Sequence, residues 1–218
     1  MTQHSYSYQI STEPGQQPGS LFHDKFMSLA ELDLADHFLI AMPSVKDPMF
    51  GGTVIYMCEH NERGALGVII NKPTDMNVET LFQRIHIDIT NTPETCSETK
   101  KLVMFGGPVQ DDRGFVLHLP MGDYTSTIHI SDQVSFTTSR DVLDAVAQGR
   151  GPKRLLVSVG YAGWGAGQLE DEILRNDWLT VPADPAIIFE LPIELRLAAA
   201  IKLLGFDPLM LSGEAGHA

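Results

Sequence analysis

Short apolar runs separated by turn residues dominate the chain, and this pattern predicts more strands than helices. Residues 37–42 are mostly apolar and stop at Pro43, which is typical of a buried strand. Two further runs, residues 53–59 and 65–70, flank the turn residues 61–64. Apolar runs joined by so short a glycine-containing turn predict a β-hairpin.

Apolar runs later in the chain predict the remaining strands of the sheet. The predicted strands are residues 102–105, 115–119, 127–130, 134–136, 154–159, 178–181 and 186–189. Residues 115–119 are expected to be the antiparallel neighbour of residues 102–105, across a turn at residues 110–114. Because the connections are too short for successive parallel crossovers, the sheet is expected to be mostly antiparallel.

Helical spacing of apolar residues appears in a few segments only. Asn77 is placed as the N-cap of a helix that ends near residue 86, and Ser139 as the cap of a second helix, ended by Gly149. A third helix is expected to follow the glycine-rich residues 160–167, and a fourth to run from Pro192 to Gly205. Residues 88–101 are polar and predict a loop.

These elements predict an α+β fold. We expect a single domain over residues 21–211, with a mostly antiparallel, strongly coiled sheet and about four helices packed on it. Residues 1–20 are rich in Ser, Gln, Pro, Gly and Tyr without apolar periodicity, so they are expected to form a disordered tail. Residues 212–218 are expected to form a flexible C-terminal tail.

The charge balance narrows the classes of partner. The chain has 28 acidic and 15 basic residues, a formal net charge of −13, which disfavours direct nucleic-acid binding. The best candidates for a local basic patch are Arg150, Lys153 and Arg154 together with Lys100 and Lys101. Two cysteines, no signal-peptide core and no apolar stretch of membrane-span length favour a reducing cytoplasmic location.

The segment GYAGWGAGQLEDEILRN, residues 160–176, is the most specialised stretch of the chain. Its glycines miss the dinucleotide template, which requires glycine where Gln168 stands, and Ala166 and Gly167 replace the phosphate-gripping residues of a P-loop. Acidic residues in the first turn of the following helix would also repel a bare anion. The favoured interpretation is a glycine-lined turn that packs around a tryptophan. The alternative is a site for an uncharged ligand, a cation or a protein partner, lined by Tyr161, Trp164, Gln168 and Glu170.

No catalytic or metal site emerges from the spacing of reactive residues. Cys58 and His60 are alternate residues of a predicted strand and would suit two zinc ligands, but no motif supplies the other two. Ser158 lacks the glycine two positions earlier that a nucleophile elbow needs, and it is expected to be an interior strand residue. We therefore assign no catalytic residue, no metal and no cofactor.

Three long segments, in order, resemble the bacterial YqgE/AlgH family. They are AMPSVKDPMFGGTVIYMCEHNERGALGVIINKP (41–73), VMFGGPVQDDRGFVLH (103–118) and VGYAGWGAGQLEDEILRNDWL (159–179). The resemblance implies a single α+β domain with a coiled, partly bifurcated sheet. Some members of the family are described as transcriptional regulators of exopolysaccharide production, and the family has no agreed active site. Lys72 stands where the family often has Arg, which keeps the charge but loses the bidentate geometry.

Two functions are consistent with these features. The first is a non-enzymatic cytoplasmic regulatory domain that acts on transcription only indirectly, through a protein partner. The second is a small-molecule-binding protein or enzyme whose pocket forms where residues 71–73, 106–108 and 160–170 converge. The candidate binding residues for either function are Asn71, Lys72, Gly106, Gly107, Tyr161, Trp164, Gln168 and Glu170. No membrane partner is expected.

Overall fold

The structure is a computed structural model that describes residues 33–90, 92–119 and 122–205, all within one compact unit. The strands are β1 (His37–Ala41), β2 (Val54–Asn61), β3 (Gly64–Ile69), β4 (Pro73–Asn77), β5 (Leu102–Phe105), β6 (Val109–Leu119), β7 (Thr127–His129), β8 (Ser135–Thr137), β9 (Arg154–Gly165) and β10 (Trp178–Pro182). The helices are α1 (Val78–Arg84), α2 (Pro93–Glu98), α3 (Asp141–Ala147), α4 (Gln168–Leu174), α5 (Pro185–Phe189) and α6 (Ile193–Leu203).

The strands form a curled sheet in the order β10-β1-β2-β3-β9-β6-β8-β7, with β5 beside β9 and β4 beside β5. Every pair is antiparallel except β5 with β9. The predicted α+β class with a mostly antiparallel sheet is therefore confirmed. The single parallel pair, β5 with β9, agrees with a mostly antiparallel sheet, and the long connection through β6 to α3 makes it possible.

Helices cover both faces of the sheet. Leu156 of β9 belongs to an apolar cluster that α5 and α6 complete, whereas its neighbours Leu155 and Val157 belong to a second cluster, completed by α1 and α3. Successive residues of a strand point to opposite faces, so β9 contributes to both clusters at once.

β9 is the strand on which the architecture depends. Its first half pairs with β6 and its last four residues pair with β3. Between these halves, Gly106 and Gly107 lie directly against the backbone of Gly160 and Tyr161. A Cβ on any of the three glycines would overlap backbone atoms across this contact, and Gly160 also has a φ of +71°. Such close backbone approach is open only to glycine.

The hairpin of β2 and β3 and the capping of α1 by Asn77 confirm the sequence predictions, and so do the short strands β7 and β8. The count of about four helices is wrong, because six form within the part of the chain that the structure describes. Residues 93–98 are not loop: Thr92 and Thr95 make a reciprocal capping box around Pro93. Residues 185–189 are helix and not strand, because Asp184 caps a segment that begins with proline.

Three local predictions are also wrong. β6 is not the neighbour of β5. It starts at Val109, runs through the expected turn, and pairs with β8 and β9. Ser139 does not cap α3, since its hydroxyl donates to Asp141 and Arg140 occupies the cap position. Residues 160–165 do not form a turn around Trp164, because they continue β9, and residues 162–165 are in extended register with β3.

The predicted tails at residues 1–20 and 212–218 lie outside the described residues, and the limits of the predicted domain remain predictions. Among the helices that the structure describes, none is long and apolar enough to cross a membrane.

We expect Gly160→Ala to destabilise the protein severely, because its new methyl group would overlap the Gly107 carbonyl oxygen and force alanine into a left-handed conformation. The expected loss is at least about 2 kcal/mol of unfolding free energy, measured by urea denaturation. Gly114→Ala is the matched control, because a Cβ there meets only Leu143 at 3.6 Å. Equal stability of the two variants would contradict the close contact.

Candidate functional site

Asn71 and Lys72 hold the loop between β1 and β2. The Asn71 side chain accepts from the Val54 N–H at 2.8 Å and donates to the Gly52 carbonyl at 2.9 Å. The Lys72 ammonium donates to two loop carbonyls, Pro48 and Met49, each at 2.8 Å. Both side chains therefore have their polar atoms engaged by this loop.

A carboxylate surrounded by neutral donors joins α4 to the sheet. Glu172 Oε2 accepts the indole N–H groups of Trp164 and Trp178, each at 2.8 Å, and its Oε1 accepts from Gln168 at 3.0 Å. The two tryptophans are 8% and 5% exposed, and their rings meet edge to face with centroids 6.1 Å apart. Because these bonds use both carboxylate oxygens, Glu172 fixes the position of α4 beneath the end of β9.

Glu170 binds His60 on the neighbouring hairpin. The Oε1 atom of Glu170 lies 3.2 Å from His60 Nε2, and His60 Nδ1 accepts the Leu34 N–H at 3.2 Å. Since Nδ1 is an acceptor, the ring proton is on Nε2 and faces the carboxylate. This predicted binding residue thus anchors α4 to β2.

The opposite face of this part of the sheet carries an open cavity of about 350 Å³, the β9 groove. Register places Glu59 and Asn61 of β2, Gly64 and Leu66 of β3, and Gly163 and Gly165 of β9 on one face. The groove is lined by Glu59, Asn61, Arg63, Gly64, Ala65, Leu66, Val109, Tyr161, Gly163, Trp164 and Gly165. Three of the six residues on that face are glycines, so the floor is bare backbone at positions 64, 163 and 165.

The glycines of this floor differ in what they require. Gly64 has a φ of +135°, and a Cβ there would overlap the Trp164 carbonyl oxygen. Gly163 and Gly165 have ordinary strand angles. A Cβ on Gly163 would lie 3.3 Å from the Tyr161 ring, and one on Gly165 would lie 3.9 Å from the Gln168 side chain. Backbone geometry therefore requires glycine at position 64, and neither geometry nor packing requires it at position 165.

The end of β9 also has an edge that no strand of the described residues covers. Pairing with β6 stops at Tyr161, so residues 162–165 pair only with β3. The Gly165 N–H points away from β3 and donates to Gln168 Oε1 at 3.1 Å. Because alternate residues of a strand direct their N–H and C=O groups to the same side, the backbone of Gly163 also faces this edge.

A second cavity of about 380 Å³, the edge cavity, opens along this side. It is lined by Val45, Lys46, Asp47, Phe50, Pro108, Gly163, Trp164, Gln168, Glu172, Arg175, Asp177 and Trp178. Its charged groups have partners in the chain: Arg175 pairs with Asp177 at 3.3 Å, and Asp47 accepts two N–H groups of its own loop. The edge cavity and the β9 groove share Gly163 and Trp164.

The structure separates the predicted binding residues by role. Tyr161, Trp164 and Gln168 line these cavities. Gly106 and Gly107 pack against β9, Asn71 and Lys72 hold a loop, and Glu170 binds the hairpin. Sequence reasoning missed Glu172, Arg63 and the bare floor. Strand alternation through the glycine cluster was the signal that could have revealed the floor, because it places Gly163, Gly165 and Tyr161 on one face.

The described residues contain no group of three or more His, Cys, Asp or Glu side chains that could hold a metal ion. Cys58 is fully buried, and burial followed by the nearby charge of Glu59 raises the pKa of its thiol well above the usual value. A buried neutral thiol is a poor nucleophile. Ser158 is buried in β9, as predicted, with its hydroxyl near the Gly160 carbonyl.

Comparison with known proteins identifies the family. The AlgH-like family model matches residues 38–209. A UPF0301 protein of Cupriavidus metallidurans is 57% identical over 191 residues, which are 88% of this chain and 98% of that protein. The solution structure of AlgH from Pseudomonas aeruginosa, 48% identical, matches with a TM-score of 0.70 over 86% of this chain and 97% of that one.

A more distant structure shares the fold alone. The crystal structure of a Corynebacterium diphtheriae protein is 18% identical, with a TM-score of 0.57 over 84% of this chain and 92% of that one. The resemblance found in the three sequence motifs is confirmed by the family model and by the close relatives. The chain belongs to the AlgH-like UPF0301 family.

Proposed function

We propose that this chain is a non-enzymatic, cytoplasmic interaction domain that binds an extended segment of a partner protein over the end of β9. The proposal rests on one observation. Gly163 and Gly165 leave the end of β9 without side chains on its outer face, although neither the backbone angles nor the packing of this chain requires glycine at position 165. Glycine inside a strand weakens it by roughly 0.5–1 kcal/mol relative to alanine. A binding partner that approaches the backbone closely explains why this cost is tolerated.

The free edge of β9 supplies the second element of the proposed interaction. An extended segment that lies beside residues 163–165 can hydrogen-bond to the Gly163 backbone, which is the recognition mode called strand addition. Side chains of such a segment would alternate between the β9 groove and the edge cavity, which meet at Gly163 and Trp164. Leu66, Val109 and Tyr161 are half-buried and offer apolar contact within the groove.

A charged side chain at the rim of the β9 groove favours a partner segment of opposite charge. Arg63 is exposed, and no ion pair of the described residues includes it. Glu59, on the same rim, is engaged by the Asn61 amide at 2.6 Å. The Arg63 guanidinium, unlike the Glu59 carboxylate, makes no side-chain hydrogen bond with the described residues, and it favours a partner segment with an acidic residue at this end.

The lining of the two cavities supports a binding role rather than a catalytic one. Neither places a nucleophile within hydrogen-bond reach of a base, since Glu59 is held by Asn61 and Glu172 by two tryptophans. The net charge of −13 supports regulation through a protein rather than through direct nucleic-acid binding. The free cysteines Cys58 and Cys96 are consistent with the proposed cytoplasmic location.

A small-molecule ligand is the second candidate, and the edge cavity is the observation that favours it. Its volume of about 380 Å³ falls in the range of ligand pockets, and Phe50, Trp164 and Trp178 give it aromatic walls. Residues 106–107 and 160–162 do meet, as that alternative requires, but they meet through their backbones at the contact beside β9.

Stability measurements distinguish a glycine that the fold requires from a glycine that the fold does not require. Gly165→Ala is expected to leave the unfolding free energy unchanged or to raise it by about 0.4–1 kcal/mol, because the new methyl group has room and ordinary strand angles. Gly64→Ala, directly opposite in the β3–β9 register, is expected to lower it by at least about 2 kcal/mol. Urea denaturation followed by circular dichroism measures both. A large loss in Gly165→Ala would show that the fold itself needs this glycine.

Partner binding is expected to depend on position 165, although the stability of the fold does not. Tagged wild-type protein, Gly165→Val and Gly114→Ala are used as baits in extracts of the source bacterium, and bound proteins are quantified by mass spectrometry. We expect a partner that is recovered by the wild type and by Gly114→Ala, and lost with Gly165→Val, because a branched side chain covers the groove floor.

Circular dichroism and the unfolding free energy verify that all three baits fold. Recovery of the same proteins in the same amounts by Gly165→Val, or no specific partner for the wild type, would contradict the proposed function.

A further inference from the structure

Arg196 of α6 is a buried cation without an acidic partner. It is 8% exposed, and none of the ion pairs of the described residues includes it. Its Nε donates to the Leu191 carbonyl at 3.2 Å and its Nη1 to the Ile70 carbonyl. Desolvation by burial lowers its pKa to about 10, partly offset by the negative charge of Glu194. A buried guanidinium held only by neutral carbonyls is energetically unfavourable.

The guanidinium also has donors to spare. Arginine has five N–H groups, and the two carbonyls take only two of them. Among buried side-chain polar atoms of the described residues, only Glu98 Oε2 accepts no well-aligned hydrogen bond, and that atom lies 2.6 Å from the Lys101 ammonium. The Nη2 of Arg196 makes no hydrogen bond with any described residue and is not one of the fully buried atoms, so it is accessible to a ligand.

Arg196 is one of the residues that line a cavity of about 230 Å³ between β5, β9, α5 and α6. Eight of the ten lining residues are apolar, and the other two are Lys101 and Arg196. Leu102, Met104, Leu156, Ile188 and Phe189 are among its apolar walls, and no acidic side chain lines it. The Lys101 ammonium pairs with Glu98 at 2.6 Å, whereas the charge of Arg196 is offset only in part, by Glu194.

We propose that this cavity binds a small aliphatic carboxylate, with the carboxylate on the free N–H groups of Arg196 and the hydrocarbon chain among the apolar walls. The planar guanidinium matches a carboxylate in a two-bond arrangement, and a bound anion compensates the buried charge. Apolar walls favour a hydrocarbon body over a phosphate or sugar. The site is distinct from the β9 groove and does not depend on the function proposed for that groove.

The volume limits the size of the ligand. A water molecule, which has one non-hydrogen atom, takes roughly 30 Å³ in the liquid. At about the same volume per non-hydrogen atom of a ligand, a cavity of about 230 Å³ holds about eight such atoms. Hexanoate has this size. A ligand this small is expected to bind with a dissociation constant of about 1 mM.

Calorimetric titration of the full chain at pH 7 with hexanoate, hexanamide and acetate tests the proposal. We expect hexanoate to bind at least about tenfold more tightly than hexanamide, which lacks the charge, and than acetate, which lacks the chain. In ¹H–¹⁵N spectra, the Arg196 side-chain signal is expected to shift with hexanoate and to stay in place with hexanamide.

Two matched variants locate the site without removing Arg196. Leu102→Trp crowds the cavity from an exposed position and is expected to weaken hexanoate binding at least about tenfold. Leu195→Trp places the same side chain on α6 at another exposed leucine, outside the cavity, and is expected to bind as the wild type does. No binding of hexanoate up to about 10 mM, ten times the expected constant, would overturn the proposal. Equal affinity for hexanoate and hexanamide, or equal effects of the two variants, would also overturn it.

Discussion

The contact between two stretches of backbone, Gly106–Gly107 and Gly160–Tyr161, is the constraint on which this fold depends. It brings the β5–β6 connection against the middle of β9, where the Gly106 N–H donates to the Val159 carbonyl. The contact also joins β5 to the hairpin, because the Gly106 carbonyl accepts the Ile69 N–H. β9 can therefore leave β6 and continue as the partner of β3. The end of the strand then extends beyond its second neighbour, with one edge open.

Inward-facing residues and glycines alternate in residues 162–165 at the end of β9, and this alternation gives the two faces of the strand different roles. Ala162 and Trp164 point into the protein, where Glu172 fixes the indole against α4. Gly163 and Gly165 point outward and leave a floor of backbone. A partner that binds this surface loses little free energy in ordering it, because the packing of the buried face already fixes the strand. A rigid floor with few side chains suits an extended segment better than it suits reaction chemistry.

Much of the fold could be predicted from the sequence, whereas the site could be predicted only in part. The strands of the hairpin and the cap at Asn77 follow from local patterns, and they form as expected. α2 could not be predicted from apolar spacing, because threonines and a proline make its first turn. The glycine cluster indicated a turn because glycine is depleted in strands. Pairing with β3 keeps residues 162–165 extended, and that pairing joins residues far apart in sequence.

We propose that a partner protein occupies the bare end of β9 in the cell. Site-specific photo-crosslinking in living cells, with a photoreactive amino acid in place of Arg63 at the rim of the β9 groove, detects such a partner. We expect a discrete crosslinked protein that disappears when Gly165→Val is added to the same chain. We expect no such adduct when the photoreactive residue replaces Leu195 on α6. No adduct from position 63, or an adduct that persists with Gly165→Val, would show that no partner binds at this end of the strand.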